Sequence, residues 1–202
     1  MPQNIRLMNK NDIERLLSIH LQAFKGYMNA SLGNDYVRAF LGWFQDSPCG
    51  LALVAEENNQ TIGYVVGAQL GYGKELNNFL LKIGIWSILT NPRIFFHPQF
   101  IGTIINRLKL LLQKSENETK NYAKLSGKGI SLVGIGVDPL FTGKGAGVSL
   151  LKAFEEKAKL LGYTFMRLSV YRKNERARNL YSKNGWKVLE TDGPVLYYYK
   201  EI

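Results

Sequence analysis

Cysteine and histidine are scarce in this chain. Among 202 residues there is one cysteine, Cys49, and two histidines, His20 and His97. A single cysteine cannot close an internal disulfide, so a reducing, cytoplasmic compartment is expected. No uncharged apolar run reaches the roughly 18 residues that a membrane-spanning helix needs, so no span is expected. The opening residues, MPQNIRLMNKND, carry no apolar run behind their charges, and no signal peptide is expected. Acidic residues are outnumbered, 16 Asp and Glu against 26 Lys and Arg, giving a formal charge of +10. Such an excess points to an anionic partner. No nucleic-acid reader motif accompanies it, so a nucleic-acid role is not expected. Internal repeats and low-complexity segments are absent too. A hydrophobic content of 46% suits a globular chain, long enough for one full core and read as a single domain, 1–202.

What the chain does contain is glycine, concentrated where it matters. Residues 132–151 read LVGIGVDPLFTGKGAGVSLL. The stretch opens as an apolar β-branched run, Leu132 to Val137, and Asp138-Pro139 stops it, because proline has no N–H for a continuing strand. Gly143, Gly145 and Gly147 follow at alternate positions. An amphipathic helical pattern then begins: Val148, Leu150, Leu151, Phe154, Ala158 and Leu161. Strand, glycine turn, helix is an arrangement that aims free main-chain N–H groups and the positive helix end at an anion. The spacing is neither that of a P-loop, which needs Ser or Thr after Gly-Lys, nor that of a dinucleotide fingerprint, whose third glycine would come one residue later. An ordinary glycine-rich βα turn is the plain alternative.

A second motif lies downstream: Asn174, Ala177, Leu180-Tyr181 and then Gly185-Trp186. Together with 133–151 it resembles the acetyl-CoA-binding half of the GNAT N-acetyltransferase family, in which the loop reads Gln/Arg-x-x-Gly-x-Gly/Ala. Here the loop is Thr142-Gly143-Lys144-Gly145-Ala146-Gly147, with Thr142 where Gln or Arg is usual. The resemblance covers 128–190 well and the first 70 residues more loosely. It implies an α/β (α+β) fold with a central, mixed, mostly antiparallel sheet flanked by helices. It also implies acetyl-CoA as cofactor and an amine as acceptor. Cofactor contacts would come from Ile135, Gly136 and Val137 on the strand, Thr142, Gly143, Lys144, Gly145, Ala146, Gly147 and Val148 in the cradle, and Asn174 and Tyr181 beyond it. Tyr181 would be the acid that protonates the departing sulfur; a core aromatic is the alternative reading. For Asn174 the alternative is a helix N-cap. Phe24, Tyr27, Leu32 and Gly33 would line the acceptor site. No metal is implied.

Around this core the pattern predicts a strand at Ile5 to Met8, with Asn9 to Asp12 capping a helix whose apolar stripe is Ile13, Leu16, Leu17, His20, Leu21 and Phe24. A second helix is expected from about Asn34 to Gln45. A hairpin follows, Leu51 to Ala55 and Thr61 to Leu70. Residues 71–127 exceed any ordinary loop and are read as an inserted helical hairpin, about 75–90 and 98–113. Between 74 and 114 six basic residues (Lys74, Lys82, Arg93, Arg107, Lys109, Lys114) face one acid, Glu75. After the cradle helix come a strand, Thr164 to Tyr171, a helix, Asn174 to Asn184, and a terminal hairpin, Trp186 to Glu190 and Val195 to Lys200, turning over Thr191 to Pro194.

The general base is the open point. No carboxylate lies within Leu132 to Val137. His20, near the end of an early helix that borders the acceptor site in the family plan, is the base candidate, followed by Glu56, Asp192 and His97, with a water relay as the alternative. The expected activity is acetyl transfer from acetyl-CoA to a primary amine, on an amino sugar or another small molecule. The alternatives are a protein N-terminus or lysine acceptor, a non-catalytic acyl-CoA-binding module, and a membrane-surface module using the 75–113 helices. For those helices, packing on the domain or on a second copy in a homodimer is preferred to peripheral membrane contact.

Overall fold

The computed structural model describes residues 3–25, 32–90 and 127–202. Its elements run β1 (Asn4–Leu7), a 3-10 turn (Lys10–Asp12), α1 (Ile13–Ala23), α2 (Asn34–Asp46), β2 (Gly50–Glu57), β3 (Gln60–Gln69), α3 (Gly73–Thr90), β4 (Gly129–Val137), a second 3-10 turn (Pro139–Phe141), α4 (Ala146–Leu160), β5 (Phe165–Tyr171), α5 (Glu175–Lys183), β6 (Lys187–Asp192) and β7 (Val195–Glu201). The seven strands form one sheet in the order β1-β2-β3-β4-β5-β7-β6. Every pair is antiparallel except β4 with β5. This is the mixed, mostly antiparallel sheet expected from the sequence.

Both faces of the sheet are covered, which is why β2 and β3 read as nearly unbroken apolar runs rather than alternating ones. Leu51, Leu53 and Ala55 of β2 face one cluster, built with Leu150, Leu151, Phe154 and Ala158 of α4. Ala52 and Val54 face the other, built with Leu16, Leu17 and Ile19 of α1 and Tyr36, Val37, Phe40, Leu41 and Phe44 of α2. Leu76 and Leu80 of α3 join that second cluster, while Phe79 and Leu81 are exposed. The first insertion helix therefore lies on the α1–α2 face. The second one, expected over 98–113, falls outside the described residues, as do Tyr27 and His97.

Local signals set most boundaries. Asn9 and Asp12 form a reciprocal capping box ahead of α1. The terminal hairpin is tighter than expected: β6 runs on through Asp192, leaving Gly193-Pro194 as the turn. Strand β4 begins at Gly129, three residues ahead of the apolar run, because its first residues pair with β5.

At the outer edge, Arg6 of β1 holds both oxygens of the buried Asp12 carboxylate at 2.7 Å and Glu56 of β2 at 2.6 Å. Burial disfavours the Asp12 charge, but the hydrogen bonds from Arg6 and from the Asn9 main chain outweigh it, and the carboxyl stays below its usual pKa. Glu56, a base candidate on sequence, is committed to Arg6 on the β1–β2 edge. An Asp with a depressed folded-state pKa adds stability above its unfolded pKa of about 3.9 and loses it as pH falls through the folded value. Asp12→Asn is accordingly expected to cost about 1–3 kcal/mol at pH 7. In urea unfolding the gap between wild type and variant should narrow as pH falls below the ordinary carboxylate range.

Candidate active site

Strands β4 and β5 start together and then part. Only Gly129–Ser131 pair with Phe165–Arg167. β5 stays paired with β7 along its whole length, Phe165 to Tyr171. It is β4 that leaves, and the cause is on its other side. The β3–β4 register slips between Val66, opposite Gly134, and Gly67, opposite Leu132, so Val133 is an extra residue. A bulge of this kind bends the strand that carries it. Beyond it, Leu132–Val137 keep β3 on one edge and have no strand on the other. Val133, Gly134, Ile135 and Val137 are only half-buried there. Ile135, Gly136 and Val137, the strand residues named as cofactor contacts on sequence, thus sit on a main-chain edge with no strand partner on the β5 side.

The open edge leads into the glycine cradle. Asp138 ends β4, with its N–H donating to the Ile62 carbonyl at 2.8 Å. Its carboxylate accepts from the Leu140 N–H at 2.9 Å and is paired with Arg15 of α1. Arg15 also donates to the Thr61 carbonyl at 3.0 Å, so one guanidinium fastens the end of β4 to β3. Thr142, the residue that departs from the family pattern, donates its hydroxyl to the Asp138 carbonyl at 3.4 Å and supports its own turn. Gly143 and Gly145 have φ of +81° and +91°, values that side chains with a Cβ resist. Gly145 is the N-cap of α4 and supplies no side-chain cap. The helix begins at Ala146, two residues earlier than the apolar pattern indicated, which puts Ala146, Gly147 and Val148 in the first turn. Their N–H groups have no intrahelical partner. An uncapped first turn behind two positive-φ glycines fits a diphosphate held by main-chain N–H groups. Lys144 stands beside it, its ammonium 4.9 Å from the Phe141 ring centroid.

Helix α5 closes the other flank. A Cβ added at Gly147 would lie 3.9 Å from Leu180 of α5 and 3.9 Å from Val137 of β4. Asn174 caps α5, its side-chain oxygen accepting from the Ala177 N–H at 3.1 Å. That is the N-cap alternative, and it leaves a cofactor contact from the same side chain open. Tyr181 follows Leu180 and is buried, its ring 5.7 Å from Trp186 and 6.0 Å from Tyr198. Trp186 is itself fixed by an N–H donated to Glu155 of α4 at 3.1 Å. Burial pushes the Tyr181 pKa above that of an ordinary phenol, so it stays protonated well past neutral pH.

On the α1 side, His20 is 3% exposed. Its Nδ1 lies 2.5 Å from the Tyr64 hydroxyl on β3, and Phe24 stacks on its ring at 4.6 Å. Burial pushes His20 down to about 4, so the imidazole is neutral at physiological pH. Leu32 packs into the same cluster, and Gly33 is the exposed N-cap of α2. His20 and Phe24 are thus brought together, with Leu32 packed on the same apolar cluster. Tyr64 and the Arg15–Asp138 pair were not singled out on sequence. Tyr64 becomes visible only through register: it pairs with Gly136, where a Cβ would come within 2.6 Å of its ring. A separate open groove of about 510 Å³ between β1 and α4, lined by Ile5, Leu7, Ser149, Lys152 and Leu160 among others, shares no residue with the gap or the cradle.

Comparison with known proteins agrees with this geometry. The sequence model of the acetyltransferase (GNAT) family matches residues 13–186. The fold is similar to that of PaiA N-acetyltransferase from Thermoplasma acidophilum, solved in complex with coenzyme A, at 19% identity over 100% of both chains with a TM-score of 0.64. It is similar to the polyamine N-acetyltransferase of Drosophila melanogaster, which forms N-acetylagmatine, at 14% identity over 100% of both chains with a TM-score of 0.67. The ribosomal-protein-S18-alanine N-acetyltransferase of Escherichia coli matches at 12% identity over 100% of this chain and 94% of that one, with a TM-score of 0.55. No curated protein sequence matches at a significant level. Gly145→Ala, forcing a methyl group to φ +91°, is expected to weaken coenzyme A binding at least about tenfold in calorimetry, since a left-handed non-glycine residue costs about 1–2 kcal/mol. Gly147→Ala meets only 3.9 Å contacts and should leave thermal unfolding intact. With the bulged β4, the uncapped cradle and a family match spanning 13–186, this chain belongs to the GNAT family and is an acetyl-CoA-dependent N-acetyltransferase.

Proposed function

We propose that the acceptor is the primary amine of a small molecule, an amino sugar or another small amine, and that Tyr181 is the acid of the reaction. One observation carries the assignment of roles. The unpaired edge of β4, the cradle turn and the helix that bears Tyr181 meet around Gly147. When bound, acetyl-CoA supplies an activated thioester. The N–H groups of 143–148 would hold its diphosphate, and the edge at Ile135–Val137 would orient the pantetheine arm. Tyr181, protonated at neutral pH, would stand as the proton donor to the leaving sulfur.

The amine must lose a proton, and His20 is badly matched to take it. A base of pKa about 4 stands roughly six units below an alkylammonium of pKa about 10.4. His20 is therefore assigned to binding, and the proton leaves through water. A small acceptor is supported by the placement of α3, which packs beside α2 and adds bulk on the acceptor face. A protein N-terminus or lysine is the alternative acceptor, and a mass-detected screen of amines, sugars and peptides separates the two.

Two outcomes are expected. Tyr181→Phe should lower kcat by about 10²-fold or more while coenzyme A still titrates in calorimetry. For wild type, kcat/KM should climb about tenfold per pH unit below the amine's pKa, with no plateau near pH 6–7. A plateau there would reveal an enzyme base and overturn the water route.

A further inference from the structure

We infer that His20 recognises the acceptor by donating its Nε2–H to a neutral oxygen, a hydroxyl or carbonyl, that the amine substrate carries near its nitrogen. This rests on the proposed transfer to a small amine and adds which amines are chosen.

The argument is a count of protons. Tyr64 is fully buried, and its hydroxyl lies 2.5 Å from His20 Nδ1. A buried phenol needs an acceptor for its proton, and Nδ1 is the one at hand. A neutral imidazole has a single proton, and with Nδ1 accepting, that proton sits on Nε2. The opposite tautomer would strand two groups, the phenol proton and the Nε2 lone pair. Yet Nε2 is buried and has no hydrogen-bond partner among the described residues. An orphaned buried donor is costly, and native interiors rarely carry one without a use.

Its place in the fold says what that use is. His20 sits in the last turn of α1 beside Phe24. Its partner Tyr64 lies across Gly136: a Cβ added there would come 3.2 Å from the Tyr64 hydroxyl. Gly136 is on the half of β4 that has left β5. The pair therefore links the acceptor-side helix to the strand along which the thioester is expected to run. Phe24, Phe40 and Tyr64 surround the imidazole. A carboxylate would lose its hydration against those rings, and an N–H cannot bind an ammonium, so the fitting group is an uncharged oxygen. A site built around such a donor discriminates strongly against an analogue that lacks the oxygen. Tyr64 is a positioning residue here, since it selects the tautomer without touching the substrate.

The test uses the full-length protein, 15N-labelled at histidine, with coenzyme A bound. Long-range proton–nitrogen spectra are expected to show His20 protonated at Nε2. That resonance should move on titration with 2-aminocyclohexanol and not with cyclohexylamine. The hydroxylated amine should bind at least about tenfold tighter, a preference that His20→Phe abolishes and His20→Gln partly restores. Tyr64→Phe should release the tautomer and reduce the preference. A proton on Nδ1 in wild type, or equal response to the two amines, overturns the inference. Coenzyme A affinity is measured in parallel; its loss in wild type would instead strike the cofactor reading.

Discussion

A strand in the middle of a sheet normally satisfies its main chain on both sides, and β4 does so for only three residues. That single departure organises the molecule. The extra residue at Val133 turns β4 away while β7 holds β5 in place. The result is a main-chain edge without a strand partner inside the fold rather than at its rim, which is where the proposed pantetheine contacts lie.

Electrostatic links keep that bent strand in register with the rest. Arg15 reaches from α1 to Asp138 and to the Thr61 carbonyl, tying the acceptor-side helix to the entrance of the cradle. Glu155 of α4 receives Trp186 and Lys200, which ties the cradle helix to the segment that follows Tyr181. The two helices bordering the site are anchored by buried or half-buried polar contacts. Apolar packing alone would leave them freer to slide, because it has little directional preference.

Much of the cofactor half was readable in advance, because its chemistry is local. Gly143 and Gly145 announce a turn with positive φ, and Asp138-Pro139 announces the end of a strand. Asn174 announces a cap. Each reports on residues within a few positions of itself. The start of α4 was misplaced by two residues because Ala146 and Gly147 carry no strong apolar signal, although they complete the first turn. The acceptor half was less readable. His20 is a base candidate on sequence because an exposed imidazole has a pKa near 6.5; its burial among aromatic rings, which lowers that pKa, has no local signal in the chain.

The sequence by itself determined the order of strands and helices, the glycine cradle and the family, since these depend on periodicity and on short-range backbone preferences. Tertiary structure decided the rest. That β4 parts from β5, that Tyr64 lies across Gly136, and that Arg15 meets Asp138 all depend on strand register. Register follows from the packing of two whole sheet faces at once, and no stretch of the chain encodes it alone.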